Sequence, residues 1–231
     1  HGVTDVVEDS SGNAGASVAA YAARAGMRAH VFVPKEAPRG KLRQIAAHGA
    51  EVHPIEGARE DVTAAAVAFQ RDQGFVYASH NLSPYFQEGT KTFAYEVAEQ
   101  FPDGIPDHIV LPVGNGSLYI GAWKGVRELV EAGRVPRMPR LHCVQARAFM
   151  PVVAAYEGIP WGPDDAGSTV AGGVAAAAPA RLEQVLGVLR AAGGAAVAVD
   201  DADILRWRKL LATREGVFIE PTAAVAFAGL E

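Results

Sequence analysis

Two short stretches carry the residue types that bind small anions. Ser10-Ser11-Gly12-Asn13-Ala14-Gly15-Ala16-Ser17 joins an apolar run, Val3 to Val7, to a segment of helical spacing, Asn13 to Ala25. Gly114-Asn115-Gly116-Ser117 joins His108 to Pro112 to a second helical stripe of Leu118, Ala122, Trp123, Val126, Leu129 and Val130. A helix N-terminus presents unpaired N–H groups and the positive end of its dipole. Hydroxyls, an amide side chain and glycines gathered there make a seat for a carboxylate or phosphate, to which the dipole contributes about 0.3–2 kcal/mol. Glycines at 114 and 116 let backbone amides approach a phosphate closely, and Ser117 adds a hydroxyl donor. Ser and Asn are also preferred N-caps, so capping without any ligand explains the first turn, taken alone, equally well.

The elements that must position these turns follow from periodicity. Ala29 to Val33, Glu51 to Ile55 and Phe75 to Tyr77 read as strands, separated by the helical stripes of Leu42, Ile45 and Ala46 and of Val62, Ala65, Ala66 and Phe69. Gly26 is placed to end the first helix in the left-handed conformation. Continuous apolar strands alternating with helices imply parallel sheets covered by helices. Ala78 to Thr90 breaks the rhythm as a polar loop, which places the lobe crossing there: a smaller lobe over residues 1–85 and a larger one over 86–231. Beyond it Phe93, Val97 and Phe101 share a helix face. Leu141 to Val144, Ala195 to Val199 and Val217 to Ile219 read as strands, Pro151 to Tyr156 and Leu182 to Leu189 as helices, and Gly158 to Gly173 as a covering loop. Asp200 and Asp201 are placed to cap the helix bearing Ile204, Leu205, Leu210 and Leu211. A ligand then belongs at the carboxyl ends of the strands, with one glycine-rich turn from each lobe.

Composition narrows the chemistry. The chain has 231 residues, a formal net charge of -5 and 49% hydrophobic residues, enough for a full core. It has no basic block that would footprint a nucleic acid or an anionic membrane, and no charge-free run of spanning length, the nearest being Val170 to Pro179. One cysteine, Cys143, excludes an intrachain disulfide and favours a reducing, cytoplasmic setting. The chain opens at His1 and closes at Glu231 within a helical pattern, so it reads as a piece of a longer protein. A dinucleotide fingerprint fails because the second turn lacks a third glycine and the next strand ends in Gln145 rather than an acid. No Gly-Lys-Ser/Thr follows either turn, and no Gly-x-Ser-x-Gly elbow is present. The histidines show no i, i+4 or Cys/His spacing, so no metal is expected. His80 reads as a surface-loop residue, Cys143 as buried packing, and Asp164 and Asp165 as turn residues.

With both turns in hand, the chain resembles the fold-type II pyridoxal-phosphate enzymes, the tryptophan synthase β superfamily, and within it the threonine synthase-like members. The marks are Ser10 to Ser17, Glu88-Gly89-Thr90-Lys91-Thr92, Gly114 to Ser117, Gly193-Gly194 and Glu220-Pro221-Thr222-Ala223-Ala224, and they run nearly end to end. The resemblance implies a two-lobed α/β fold of open parallel sheets, pyridoxal 5'-phosphate as cofactor, a small amino acid as substrate, and a homodimer. It implies that Asn13 meets the cofactor's ring hydroxyl, that Ser10, Ser11, Gly12 and Ala14 hold the substrate carboxylate, and that Gly114, Asn115, Gly116 and Ser117 wrap the cofactor phosphate. Glu220 is placed near the pyridine ring.

The resemblance also implies a catalytic lysine, joined to the cofactor as a Schiff base, in a Phe-Lys-Asp-like motif ahead of the first turn. None of Lys35, Lys41, Lys91, Lys124 and Lys209 stands in such a motif, so that lysine is expected upstream of His1, and the hydroxyl partner of the pyridine nitrogen past Glu231. Lys91, in a helix's first turn, is expected to be solvated or ion-paired. Where threonine synthases carry an arginine for the substrate phosphate, Phe86 stands here. This weighs against phosphohomoserine and leaves a dehydratase, an ammonia-lyase, a β-replacement enzyme or a catalytically silent amino-acid-binding protein as alternatives to a threonine synthase-like lyase.

Overall fold

A computed structural model describes residues 2–57, 59–101 and 103–231. The chain divides into two compact units, residues 1–86 and 87–231.

In the first unit, β1 (Asp5–Glu8), α1 (Asn13–Arg24), β2 (Arg28–Pro34), α2 (Arg39–Ala47), β3 (Glu51–Ile55), α3 (Arg59–Gln73) and β4 (Val76–Tyr77) alternate along the chain. Every strand pair is parallel, in the order β3-β2-β1-β4. Alanines decide how α1 sits: Ala16, Ala19 and Ala22 are buried in one core with Val6, Val31, Val33 and Ile45, and small side chains let helix and sheet approach closely. On the other face Val7 and Phe32 pack with Val62 and Ala66 of α3. A fully buried Val or Phe in such a layer contributes about 1.5–3 kcal/mol. Gly26 takes the expected left-handed conformation, with φ 69°, just past the helix end.

The second unit holds α5 (Thr92–Gln100), β5 (His108–Pro112), α6 (Ser117–Glu131), β6 (Arg140–Ala146), α7 (Pro151–Glu157), α8 (Leu182–Ala192), β7 (Ala196–Val199), α9 (Asp201–Leu210) and α10 (Pro221–Ala228). Its sheet is β5-β6-β7, again parallel. Ile109, Leu111, Leu141 and Cys143 from the strands meet Tyr119, Ile120, Val185 and Leu189 from α6 and α8 in the largest core. Burial pushes the Cys143 thiol pKa well up, which makes it the inert packing group expected. Among the described residues no helix is long and apolar enough to cross a membrane.

Several expectations are corrected. Val217 to Ile219 belongs to neither sheet; Val217 and Phe218 are 49% and 74% exposed, and the Ile219 carbonyl accepts from Arg208 Nε at 2.9 Å instead of from a ladder. The stretch 78–90 is not all loop, because α4 (Pro84–Thr90) forms inside it. Phe101 is the C-cap that ends α5, its amide still bonded to the Val97 carbonyl at 3.1 Å, and it is 51% exposed. Asp200 stands at the N-cap of α9 without a side-chain cap bond; its carboxylate accepts from Arg147 Nε at 2.9 Å. Asp201 reaches back instead, to the Thr169 hydroxyl and the Val170 amide.

Candidate functional site

Both glycine-rich turns lie where a parallel strand gives way to a helix. In the first, α1 starts directly after Gly12, the N-cap, which has no side chain to cap with. The capping explanation therefore fails for Ser11 and Asn13. Ser10 Oγ accepts from the Gly12 amide at 3.2 Å, which curls the turn, while the Ser11, Asn13 and Ala14 amides donate to no acceptor of the chain among the described residues. The Asn13 side chain is exposed. Gly15 is dictated by close approach, since a Cβ there would overlap the Ser10 carbonyl oxygen.

Two side-chain clamps hold this turn from behind. Asp9, almost fully buried, accepts from Arg59 Nη2 at 2.8 Å and from the Thr63 hydroxyl at 2.7 Å. Glu8, the last residue of β1, is fully buried, and its Oε1 lies 2.7 Å from His80 Nδ1. His80 is thus a half-buried partner of a core carboxylate, which corrects its reading as a surface residue. Phe86 stands edge-on to the His80 ring at 6.0 Å.

Burial raises the Glu8 pKa above the ordinary carboxylate value, against the opposing pull of His80. A carboxyl that holds its proton more tightly folded than unfolded contributes stability at low pH, and that contribution is lost as pH rises through the folded pKa. Glu8→Gln is accordingly expected to gain stability relative to the parent as pH is raised from about 5 to about 8. Denaturant midpoints of both proteins across that range check this, and a difference that stays flat or changes in the parent's favour refutes it.

In the second turn, Gly116 is the N-cap of α6 with φ 83°, a left-handed conformation that glycine adopts without penalty. A Cβ there would also overlap Val185 Cγ2. The amides of Gly114, Asn115 and Gly116 donate to no acceptor of the chain among the described residues. Their support comes from a residue whose spacing carries no motif: Gln145, fully buried, donates Nε2–H to the Val113 carbonyl at 3.0 Å and accepts from the Val152 and Val153 amides at 2.9 and 3.2 Å. The β6 position where a dinucleotide fold would place its ribose-binding acid is here the brace that joins the start of the loop to the start of α7. Gly114 also packs against the 172–174 turn, since a Cβ on it would stand 3.0 Å from both Gly173 O and Val174 Cα. The Gly173 amide in turn donates to the Thr222 hydroxyl at 3.0 Å. Gly114, the end of the covering loop and the Glu220-Pro221-Thr222 segment therefore meet in this unit. The Glu220 side chain is exposed, and its carbonyl, not its carboxylate, receives the first bonds of α10.

The Glu88 to Thr92 motif is tied to the same loop, for the Thr90 hydroxyl donates to the Ser117 carbonyl at 3.1 Å. Lys91 is engaged by Glu88 and by Glu128, the latter at 2.8 Å, and these partners raise its pKa. Lys124 and Lys91 bring Glu88 down to about 2. A protonated, doubly paired Lys91 is a poor nucleophile, in line with its expected role as an ion-paired residue.

Two parallel βα units, each presenting a glycine-led helix N-terminus at the carboxyl end of a strand, define an α/β protein with two anion-type turns. The family description "Pyridoxal-phosphate dependent enzyme" matches residues 1–231. The threonine synthase of Methanocaldococcus jannaschii is 33% identical over 228 residues, covering 96% of this chain and 55% of that protein. That of Methanosarcina acetivorans is 36% identical over 232 residues, covering 99% and 57%. Among solved structures, a threonine deaminase from T.th. superposes with a TM-score of 0.86 at 25% identity, over 100% of this chain and 72% of that one; maize serine racemase, at 23% identity over 98% of this chain and 66% of that one, shares the fold with a TM-score of 0.83. The chain belongs to the pyridoxal-phosphate dependent enzyme family, and it spans little more than half the length of these threonine synthases.

The residues present fit the cofactor. A phosphate monoester needs several N–H donors, and the Gly114, Asn115 and Gly116 amides, which donate to no acceptor of the chain among the described residues, would meet that need. An amino-acid carboxylate needs fewer, and the Ser11, Asn13 and Ala14 amides would meet that need.

Proposed function

We propose that the complete protein catalyses elimination or replacement at the side chain of a small amino acid, as a threonine synthase-like lyase dependent on pyridoxal phosphate. The observation that carries this reading is that both helix N-termini open on a glycine N-cap, beside the Ser11, Asn13 and Ala14 amides of one turn and the Gly114, Asn115 and Gly116 amides of the other, which donate to no acceptor of the chain among the described residues. When bound, the cofactor serves as an electron sink for the amino acid's α-carbon. The chain's own part is binding and orientation. The Gly114, Asn115 and Gly116 amides, with Ser117, hold the cofactor phosphate. Ser10, Ser11, Gly12 and Ala14 hold the substrate carboxylate, Asn13 donates to the ring hydroxyl, and Glu220 stands near the ring. The proton taken from the α-carbon moves to a lysine outside residues 1–231. The protein works as a homodimer in the cytoplasm.

Phe86 favours a second reading on the substrate. Losing a charge-assisted arginine contact removes about 1.5–3 kcal/mol of phosphate binding, so a substrate without a phosphate, such as a hydroxy amino acid undergoing dehydration, suits this site better than phosphohomoserine. Steady-state kinetics with serine, threonine and O-phosphohomoserine separates the two.

Borohydride reduction of the complete protein, followed by peptide mapping, tests the whole reading. The expected result is a cofactor-labelled lysine outside residues 1–231, with Lys91 unlabelled and Lys91→Gln labelled to the parent's extent. Label on a lysine within this chain, or a protein that binds amino acids and takes no label, overturns it; the latter is the behaviour of a silent binding protein.

A further inference from the structure

Away from the glycine turns, the first unit gathers a second set of ligand-type side chains. The parallel register sets His30 of β2 beside Glu51 of β3, and Phe32 beside His53, so His30, Glu51 and His53 fall on one face of the sheet. Their donor atoms converge. His30 Nδ1 lies 3.3 Å from Glu51 Oε2 and 3.4 Å from His53 Nε2, and His53 Nε2 lies 3.8 Å from Glu51 Oε1. Neighbouring ligands on a tetrahedral ion with bonds of about 2.0–2.1 Å stand about 3.3–3.4 Å apart. With Glu51 Oε2 as the ligand atom, both edges that meet at His30 Nδ1 already have that length.

The back of the site is built as well. His30 is nearly buried, and its other nitrogen, Nε2, lies 3.1 Å from Asp5 Oδ1. Asp5 is itself held by both arms of Arg28, at 2.7 and 3.0 Å. A carboxylate on the far nitrogen fixes the proton there and turns the lone pair of Nδ1 toward the cluster, the arrangement that orients metal-bound imidazoles. Aromatic packing sets both ring planes: His30 stacks on Phe75 at 5.3 Å and His53 on Phe32 at 4.5 Å. Glu51 is mostly exposed, which leaves a path for an ion and room for a solvent ligand.

We propose that His30, Glu51 and His53 bind one divalent transition ion of the zinc class, with solvent as the fourth ligand. Two imidazoles and one carboxylate suit zinc, cobalt or nickel better than magnesium or calcium, which take oxygen ligands. The cluster lies on the α3 face of this sheet, where His30 packs against Phe69 and Phe32 against Val62, whereas α1, which the Ser10 to Asn13 turn starts, packs on the other face. The ion's role is to fasten the edge strand β3 to β2, and it is independent of the cofactor chemistry.

Zinc titration of the metal-stripped full chain by calorimetry, with cobalt as a spectroscopic substitute, tests this. One zinc per chain is expected, with an increase in unfolding temperature and with the intense visible bands of four-coordinate cobalt. Glu51→Gln changes an exposed side chain and keeps the apo fold; it and His53→Gln are each expected to weaken zinc binding at least about tenfold, and Asp5→Asn about 10- to 100-fold. His108→Gln, which breaks the other histidine pair, between His108 Nδ1 and His142 Nε2, is expected to leave binding unchanged. No zinc uptake at micromolar metal, a six-coordinate cobalt spectrum, binding that survives both Glu51→Gln and His53→Gln, or binding lost with His108→Gln overturns the proposal.

Discussion

Gly15→Ala is expected to destabilise the chain by about 3 kcal/mol and to weaken amino-acid binding by the complete protein at least about tenfold. The new methyl group would overlap the Ser10 carbonyl oxygen and come within 3.3 Å of Ile45 Cδ1. Overpacking costs about 1–3 kcal/mol where side chains can yield. Here the chief obstacle is backbone. Ser10 follows Asp9, which Arg59 and Thr63 anchor, and its own hydroxyl is used by the Gly12 amide. The turn cannot recede without breaking these bonds, so α1 must shift or the turn must open. Either movement displaces the Ser11, Asn13 and Ala14 amides. Urea denaturation gives the first quantity and the substrate KM the second. Parental values of both would mean that the turn is more pliable than its contacts indicate and does not seat the carboxylate.

How far the sequence reveals this molecule depends on the range of the interaction concerned. The turns and their helices are local. Asn13 to Ala25 is recognisable from alanine spacing and a following glycine, and it forms over Asn13–Arg24; the strands between them show as continuous apolar runs. Where a local pattern lacks a long-range partner it misleads. Val217 to Ile219 has the composition of a strand, but it joins neither edge of the three-stranded sheet, and Phe218 packs instead against the Arg208 guanidinium. The site's supports are the opposite case. Glu8 and His80 are 72 residues apart, Asp9 and Arg59 are 50 apart, and neither pair has a spacing signature. The same holds for His30 and His53, separated by 23 residues and brought together only by the β2–β3 register. An unpaired charge inside an apolar strand is the one available signal: Glu8, directly after Val6 and Val7, is a carboxylate in a core position and requires a partner. Gln145 gives a similar signal, a large amide in the buried strand that carries Cys143 and Val144.

That amide carries the other large effect. Gln145→Leu keeps nearly the same volume and removes three hydrogen bonds at once, to the Val113 carbonyl and to the Val152 and Val153 amides. Val113, Val152 and Val153 are all buried, so water cannot replace the lost partner without opening the core. An unsatisfied buried polar group costs about 1–3 kcal/mol, and with the lost bonds shared over one carbonyl and two helix-terminal amides the expected destabilisation is about 3–5 kcal/mol. The consequence for the cofactor is more specific than general loosening. The Val113 carbonyl is the last fixed point before Gly114, and it fixes the direction in which the Gly114, Asn115 and Gly116 amides point. With the brace gone, the loop is held chiefly by the packing of Gly114 on the 173–174 turn and by the Thr90 bond to Ser117, neither of which touches that carbonyl. The complete Gln145→Leu protein is therefore expected to release pyridoxal phosphate faster than the parent at temperatures where both remain folded. Thermal denaturation and the rate of cofactor loss on dilution measure the two effects separately. Destabilisation without faster release would make Gln145 a core residue alone; faster release in the folded state identifies it as the residue that aims the phosphate loop.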